Sequence, residues 1–526
     1  MAASGAGAPA RLIRRKSPVL LAAATAIAVL VLLPVAATVI DAAQVSRDEA
    51  AELLWRPLVG ELLVNTVGLA AATTVVTAVI GTLGAWLVER TDLPWRRAWG
   101  ALAVVPLAIP PFISSYAWVS LTPALQDFTG ALLVVSCAYY PLVYLPVAAA
   151  LRGLDPALEE TARSLGRGPW GCFFGVVLPQ LRPALLGGML LVALHMLGEF
   201  GAFTLLRFRT FTTELYAAYR TGFSGPGASL LALVLLGLCL LCMAAEFRVR
   251  AAARYARIGG GARRAGARLE LGWLALPALA WFALLVLAAL GVPLGMILYW
   301  LTQHGNAATT PAGATLASLA DAAFASVWLG LAGAGFTVLL ALPLAFLAAR
   351  HHGWVVTLLE RAAYLTQGVP AIVVALALIT LTLRAATPLY QSAALLILAY
   401  AILFLPLALV SVRAALLQAQ RSLEEVARGL GLGWAAVMGR VVLPLAASGL
   451  GAAAALVFVS VVTELTATLL LAPIGTRTLA TEVWADTSTL AFAAASPYAA
   501  VMAVLSLLST WLLARRFGGG ALAAAG

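Results

Sequence analysis

Charge is what this chain has least of. Only 10% of its 526 residues are Asp, Glu, Lys or Arg, while 63% are hydrophobic. A soluble protein of that size needs far more charge to cover its surface, so a soluble globular domain is excluded. Lysine is nearly absent, and Lys16, preceded by arginines, is the single one. A Walker A loop needs a lysine after its glycines to hold phosphate, so this chain cannot hydrolyse ATP by that route. Histidine is confined to His195, His304, His351 and His352. They form no metal-spaced cluster and no nucleophile–base motif, which argues against a membrane enzyme. Four cysteines, Cys137, Cys172, Cys239 and Cys242, fall in or beside apolar runs, so no disulfide framework is expected. The CxxC at 239–242 lacks a second ligand pair and reads as core packing. The ten-residue alternation of a transmembrane barrel is missing as well.

Long apolar runs are there in plenty. Runs of about 20 residues or more match the length a helix needs to cross a bilayer. Twelve such spans fall near 17–40, 60–88, 99–120, 130–151, 183–205, 228–247, 271–301, 322–349, 362–383, 392–412, 446–471 and 497–514. The first follows RLIRRK but is longer than a typical signal core and lacks a clear cleavage site, so it is expected to stay as the first helix. The net charge of +11 marks topology rather than a nucleic-acid partner. With the N-terminus inside, the cytoplasmic segments hold 26 basic residues and the external ones seven. That asymmetry predicts a multi-pass protein of a lipid bilayer with both termini cytoplasmic.

One polar paragraph is written twice. LEETARSLGRGPWGCFFGVVLPQLRPALLGG begins at Leu158, and LEEVARGLGLGWAAVMGRVVLPLAASGLGA begins at Leu423. Glu159 and Glu424, Gly166 and Gly431, and Pro179 and Pro444 are each 265 residues apart. Arg90 and Arg350 correspond at an offset of 260, and Glu214 and Glu482 at 268. A slowly drifting offset is the mark of duplication followed by small loop changes. The expected organisation is a first half, 1–247, with its paragraph in the loop 155–182, and a second half, 271–526, with its paragraph in 413–445. Between them lies a flexible cytoplasmic linker, 248–270, holding seven arginines and a Gly-Gly-Gly. Six spans per half make the repeat parallel, with a pseudo-twofold axis along the membrane normal and a pathway between the halves.

Physically, each paragraph reads as a helix–turn–helix elbow. Asp155 and Pro156 suit N-cap and first helical position, the glutamates suit the first turn, and Gly166 can end the helix in a left-handed conformation. Pro169 can then restart a helix. Two acids stand inside spans, Glu199 and Glu464, again 265 apart. A carboxylate in hydrocarbon usually faces a cavity or a partner, and a pair across the pathway suits a hard cation, making both residues candidate metal contacts. Bracing of helices, or contact with external water, explains them too. His195 lies one turn before Glu199 on the same face, and its counterpart is Ser460. Tyr139, Tyr140 and Tyr144 offer phenol oxygens, a hard-iron ligand, or simple packing.

Both paragraphs resemble the EAA loop, E-A-A-x3-G-x9-I-x-L-P, of the membrane permeases of bacterial ABC importers. Thr161 and Val426 replace the middle alanine, Val176 and Val441 replace the isoleucine, and the spacing is kept. The resemblance implies a type I importer permease fold, all-α, with two homologous six-helix halves in the inner membrane. It implies coupling through Glu159, Glu160, Ala162 and Gly166 in one half, and Glu424, Glu425, Ala427 and Gly431 in the other. The partners implied are two copies of a cytoplasmic ATPase, which bind ATP and Mg while this chain carries no cofactor, and an external substrate-binding protein. The segments GEFGAFTLLRFRTFTTELYAAY and TELTATLLLAPIGTRTLATEVW are similar to those of ferric-iron permeases. Permeases for thiamine and for phosphonates look similar in outline. An ion-coupled secondary transporter would use the two acids but leave the doubled elbows unexplained.

Overall fold

Proline decides where two of the spans turn. The residue before a proline is pushed out of the helical region, and Ile109 and Val369 are both extended, with ψ near 117°. The helices on either side of these breaks, Arg96–Ala108 with Pro111–Leu121 and Trp354–Gly368 with Ala371–Ala385, meet at 94° and 106°. The third and ninth spans are therefore sharply bent rather than straight.

The computed structural model describes residues 18–154, 156–221, 225–255, 268–303, 315–351 and 353–517. Among them nine helices are long and apolar enough to cross a membrane, or twelve when three bent pairs each count as one span. Their positions coincide with the twelve apolar runs, and no strand occurs among the described residues. The fold is all-α and polytopic. The fifth and eleventh spans do not continue through their acids. Helix Leu178–Gly198 stops at Glu199 and helix Leu443–Val462 at Thr463, each followed by a short helix, Gly201–Leu205 or Thr466–Leu471.

Each half has the same central packing. Pro57–Arg90, Pro141–Gly153 and Leu178–Gly198 pack together in the first half, and Leu316–Arg350, Ala393–Gln418 and Leu443–Val462 in the second. The outer helices break this neat partition. Pro18–Ala42, the first span of the first half, lies against Leu316–Arg350, Trp354–Leu365 and Ala371–Ala385 of the second. Reciprocally, Val292–Thr302 of the second half lies against Pro111–Leu121 of the first. The halves exchange their first helices, so each closes the other's bent span. An Arg384–Asp41 ion pair fastens one of these arms, and the Tyr116 hydroxyl donates to the Phe492 carbonyl beside the other (2.8 Å).

The linker is shorter than its composition suggests. Helix Gly225–Tyr255 runs into its first residues. Its far end is stitched to the first half, with the Leu269 amide donating to Arg90 O at 2.9 Å and the Leu271 amide to Asp92 Oδ1 at 2.8 Å.

Candidate functional site

The two elbows close in the same way. In helix Pro156–Ser164 the chain ends at Gly166 with φ +83°, and in Arg421–Gly429 at Gly431 with φ +84°. Only glycine enters that region without a steric penalty. The amide three residues past each helix then reaches back five positions, Arg167 to Ala162 O and Leu432 to Ala427 O, both 3.1 Å. Ala162 and Ala427 are buried beneath the turn. A short helix starts at Pro169 and at Trp434, and each is followed by one π-helical turn, Phe173–Val177 or Met438–Val442. The proposed Asp155 cap lies outside the described residues.

The paired glutamates of each elbow have divided roles. Glu159 forms an ion pair with Arg90 at 2.9 Å, and Glu424 with Arg350 at 2.6 Å. The arginines end the Pro57–Arg90 and Leu316–Arg350 helices, so each pair fastens an elbow to its central helix. Arg350 also donates to Ala419 O at 2.9 Å. Glu160 and Glu425 point outward and are exposed. Around them stand apolar residues that water would reject: Leu158, Leu165 and Trp170 in one elbow, Leu423, Leu430 and Trp434 in the other, all exposed. Sequence spacing singled out both glutamates equally, because only packing distinguishes the inner from the outer one.

Between the halves lies a cavity of about 420 Å³. Glu199 and Glu464 both line it, so the two acids do share one space. His195, Ser460, Tyr139 and Phe404 line it as well, with Pro110 and Pro370 from the two bends. Each glutamate also braces its own break. Glu199 Oε1 accepts from the Ala202 amide (2.9 Å) and Glu464 Oε1 from the Ala467 amide (3.0 Å). Each backbone carbonyl accepts a threonine hydroxyl at 2.6 Å, from Thr212 and Thr468. Bracing and facing the cavity are therefore not alternatives here.

Packed residues from both halves meet on the side of the glutamates away from the elbows. A Cβ on Gly201 would come within 2.9 Å of Leu465 Cδ2 and 3.0 Å of Phe112 Cβ, so the halves touch there with no room for a side chain. Phe200 packs at a tilt against Tyr216 (4.9 Å between centroids), and Tyr216 meets Trp484 edge to face at 5.9 Å. Tyr216 and Trp484 are equivalent residues, 268 apart in the chain, so the pseudo-twofold axis passes between them. The cavity lining lies at the level of the glutamates and toward the elbows from them, including Leu107, Leu191 and Val459.

Of the three candidate tyrosines only Tyr139 reaches the cavity. Its hydroxyl donates to Glu199 Oε2 at 2.6 Å. Tyr140 and Tyr144 are buried in the first half's core. His195 is exposed at the cavity wall, with its Nδ1 2.8 Å from Leu191 O and its ring 5.5 Å from that of Tyr139. Among the described residues no three His, Cys, Asp or Glu side chains converge on a point that could hold a metal ion. Cys239 is buried and also lines the cavity; Cys242 donates to Leu190 O at 3.7 Å.

Comparison with known proteins places this architecture. The chain is 35% identical over 490 residues to the Fe(3+)-transport system permease protein FbpB 2 of Haemophilus influenzae, covering 91% of this chain and 95% of that protein. It is 30% identical over 237 residues to the sulfate transport system permease protein CysT of Escherichia coli, covering 41% of this chain and 86% of the relative. The molybdenum transport system permease protein ModB of Escherichia coli is 28% identical over 186 residues, or 31% of this chain and 81% of the relative. The latter two relatives thus have roughly the size of one half. Residues 81–254 and 341–516 each match the family described as the binding-protein-dependent transport system inner membrane component. The two matches take in both elbows and both cavity glutamates, and the chain belongs to that family, carrying its domain twice.

Proposed function

We propose that this permease imports ferric iron, released to it by an external binding protein and driven by two copies of a cytoplasmic ATPase. The observation that carries the reading is the cavity between the halves, where two equivalent carboxylates, Glu199 and Glu464, face one space. Carboxylates suit a hard cation and repel an anion, so sulfate-like or phosphonate cargo fits this wall poorly. The similarity to an Fe(3+)-transport permease over nearly the whole chain points the same way. Thiamine, being cationic, is not opposed by charge and is the competing cargo.

The elbows give the coupling. Each offers an exposed glutamate, Glu160 or Glu425, set among exposed leucine and tryptophan side chains on a helix fastened by an ion pair. Two equivalent elbows suit two equivalent ATPase subunits, one for each half. Movement of an elbow passes through Arg90 or Arg350 to a central helix, and through the span after the elbow to Glu199 or Glu464. The protein crosses the inner membrane many times, with both termini placed in the cytoplasm by its charge asymmetry.

The test is ATPase activity of the reconstituted permease–ATPase complex with a binding protein loaded with Fe³⁺, thiamine or a phosphonate. Stimulation by the Fe³⁺ form alone, with ⁵⁵Fe uptake lost in the Glu199→Gln/Glu464→Gln double variant, supports the reading. Stimulation by another loaded form refutes iron and leaves the coupling scheme standing.

A further inference from the structure

The two walls of the cavity are not chemical equals. Tyr139, His195 and Glu199 of the first half correspond, at one offset of 265, to Phe404, Ser460 and Glu464 of the second, and all six line the cavity. A phenol and an imidazole on one side thus face a phenyl and a hydroxyl on the other. We propose that the first half's wall is a single hard-cation station, in which Glu199, Tyr139 and His195 together receive the cargo and set its selectivity. The proposal rests on the importer reading and assigns its substrate contacts.

Three features of the geometry support it. The Tyr139 hydroxyl and a Glu199 oxygen are already 2.6 Å apart, so two oxygen ligands are held side by side. The other Glu199 oxygen is held by the Ala202 amide, which fixes the carboxylate's orientation. No equivalent clamp exists opposite, since Phe404 has no hydroxyl. The nearest tyrosine of the second half, Tyr400, bonds the Thr468 hydroxyl at 2.7 Å, and Thr468 in turn bonds the Glu464 backbone carbonyl.

His195 is arranged as a ligand is. The Leu191 carbonyl can only accept, so Nδ1 carries the hydrogen, which leaves Nε2 as the ring nitrogen free to face a ligand. Metal-ligating histidines commonly donate their second nitrogen to a carbonyl in this way. Carboxylate and phenol oxygens suit a hard trivalent cation, and imidazole is compatible with iron. The set is loose, with a single carboxylate and a single imidazole. That suits a pathway, where binding must be strong enough to admit the ion and weak enough to release it. On arrival of the cation the Tyr139–Glu199 hydrogen bond gives way to two oxygen–cation contacts. The phenol proton passes to cavity water, and the iron remains ferric throughout.

The experiment uses the purified full-length permease, titrated with Fe³⁺ supplied as its citrate complex, and reads the visible phenolate-to-iron charge-transfer absorption. The wild type should show the band and Tyr139→Phe should lose it. His195→Ser should weaken the apparent affinity at least about tenfold, since losing even an outer-shell partner of a metal ligand costs about that much, while Phe404→Leu and Ser460→Ala leave band and affinity unchanged. In the reconstituted complex, Tyr139→Phe should lower the maximal rate of ⁵⁵Fe uptake with the KM for loaded binding protein unchanged. Absence of the band in the wild type, its persistence in Tyr139→Phe, or wild-type uptake by Tyr139→Phe each overturns the station. A wild-type band without ATPase stimulation by iron-loaded binding protein would instead refute ferric import and leave the station standing as a hard-cation site.

Discussion

The elbows and the cavity walls come from the same duplication, yet they have kept different amounts of it. The elbows agree in helix, turn, back-bond and ion pair, with Gly166 and Gly431 within a degree of each other in φ. The walls share their glutamates and differ in the residues beside them, Tyr139 against Phe404 and His195 against Ser460. The difference follows from symmetry. In the proposed scheme two separate elbows meet two copies of a partner, so each must keep the same shape. One cavity on the axis meets one cargo at a time, and a single ion needs ligands from only one wall.

Variants in matched pairs test this comparison. The largest effect is expected at the buried clasp. Arg350 and Glu424 are only 4% and 3% exposed, whereas Arg90 and Glu159 are 11% and 17% exposed. Removing one partner of a buried pair costs about 3–5 kcal/mol, so Arg350→Ala should lower the complex's melting temperature and coupled transport more than Arg90→Ala does. Equal losses would show that the two elbows bear the same load despite their different burial.

The turn glycines come next. Gly166→Ala and Gly431→Ala each force a Cβ into the left-handed region, at about 1–2 kcal/mol, and should weaken ATPase co-purification to the same degree. An effect confined to one elbow would break the symmetry argument. Where the halves meet away from the elbows, an aromatic pair contributes about 0.5–1.5 kcal/mol beyond its burial. Tyr216→Ala and Trp484→Ala should therefore raise binding-protein-independent ATPase activity alike, and the double variant should add little to either. Additive effects would mean that the two rings act separately. The smallest effect is expected at the exchanged arm, where Arg384 is half exposed. An ion pair with an exposed partner is worth about 1 kcal/mol or less, so Asp41→Asn should barely shift the melting temperature. A large shift would show that the first helix is held mainly by this contact.

Much of the site was legible from residue spacing alone. The repeat of 265 located both elbows, both cavity glutamates and the asymmetry of His195 with Ser460. Hydropathy located the spans but not their bends. Pro110 and Pro370 share the 260-residue offset of Arg90 and Arg350, yet a proline inside an apolar run can kink a helix or pass as its first turn. Tyr139 could not be separated from Tyr140 and Tyr144, because three tyrosines within six residues point in different directions around a helix. Tyr216 and Trp484 share the 268-residue offset of Glu214 and Glu482, but nothing in a one-dimensional repeat says that equivalents touch.

By itself the sequence determined the class, the spans and the doubled elbows. Each depends on short-range quantities: apolar length against bilayer thickness, and a glycine that must turn left-handed. The tertiary structure decided which glutamate of each elbow turns inward, which tyrosine holds Glu199, and that the halves exchange their first helices. These depend on how each helix is rotated about its own axis and which neighbour it finds. In a bilayer the lipid-facing and protein-facing sides of a helix are both apolar. A chain that is hydrophobic all round carries little record of its own rotation, and only close packing supplies it.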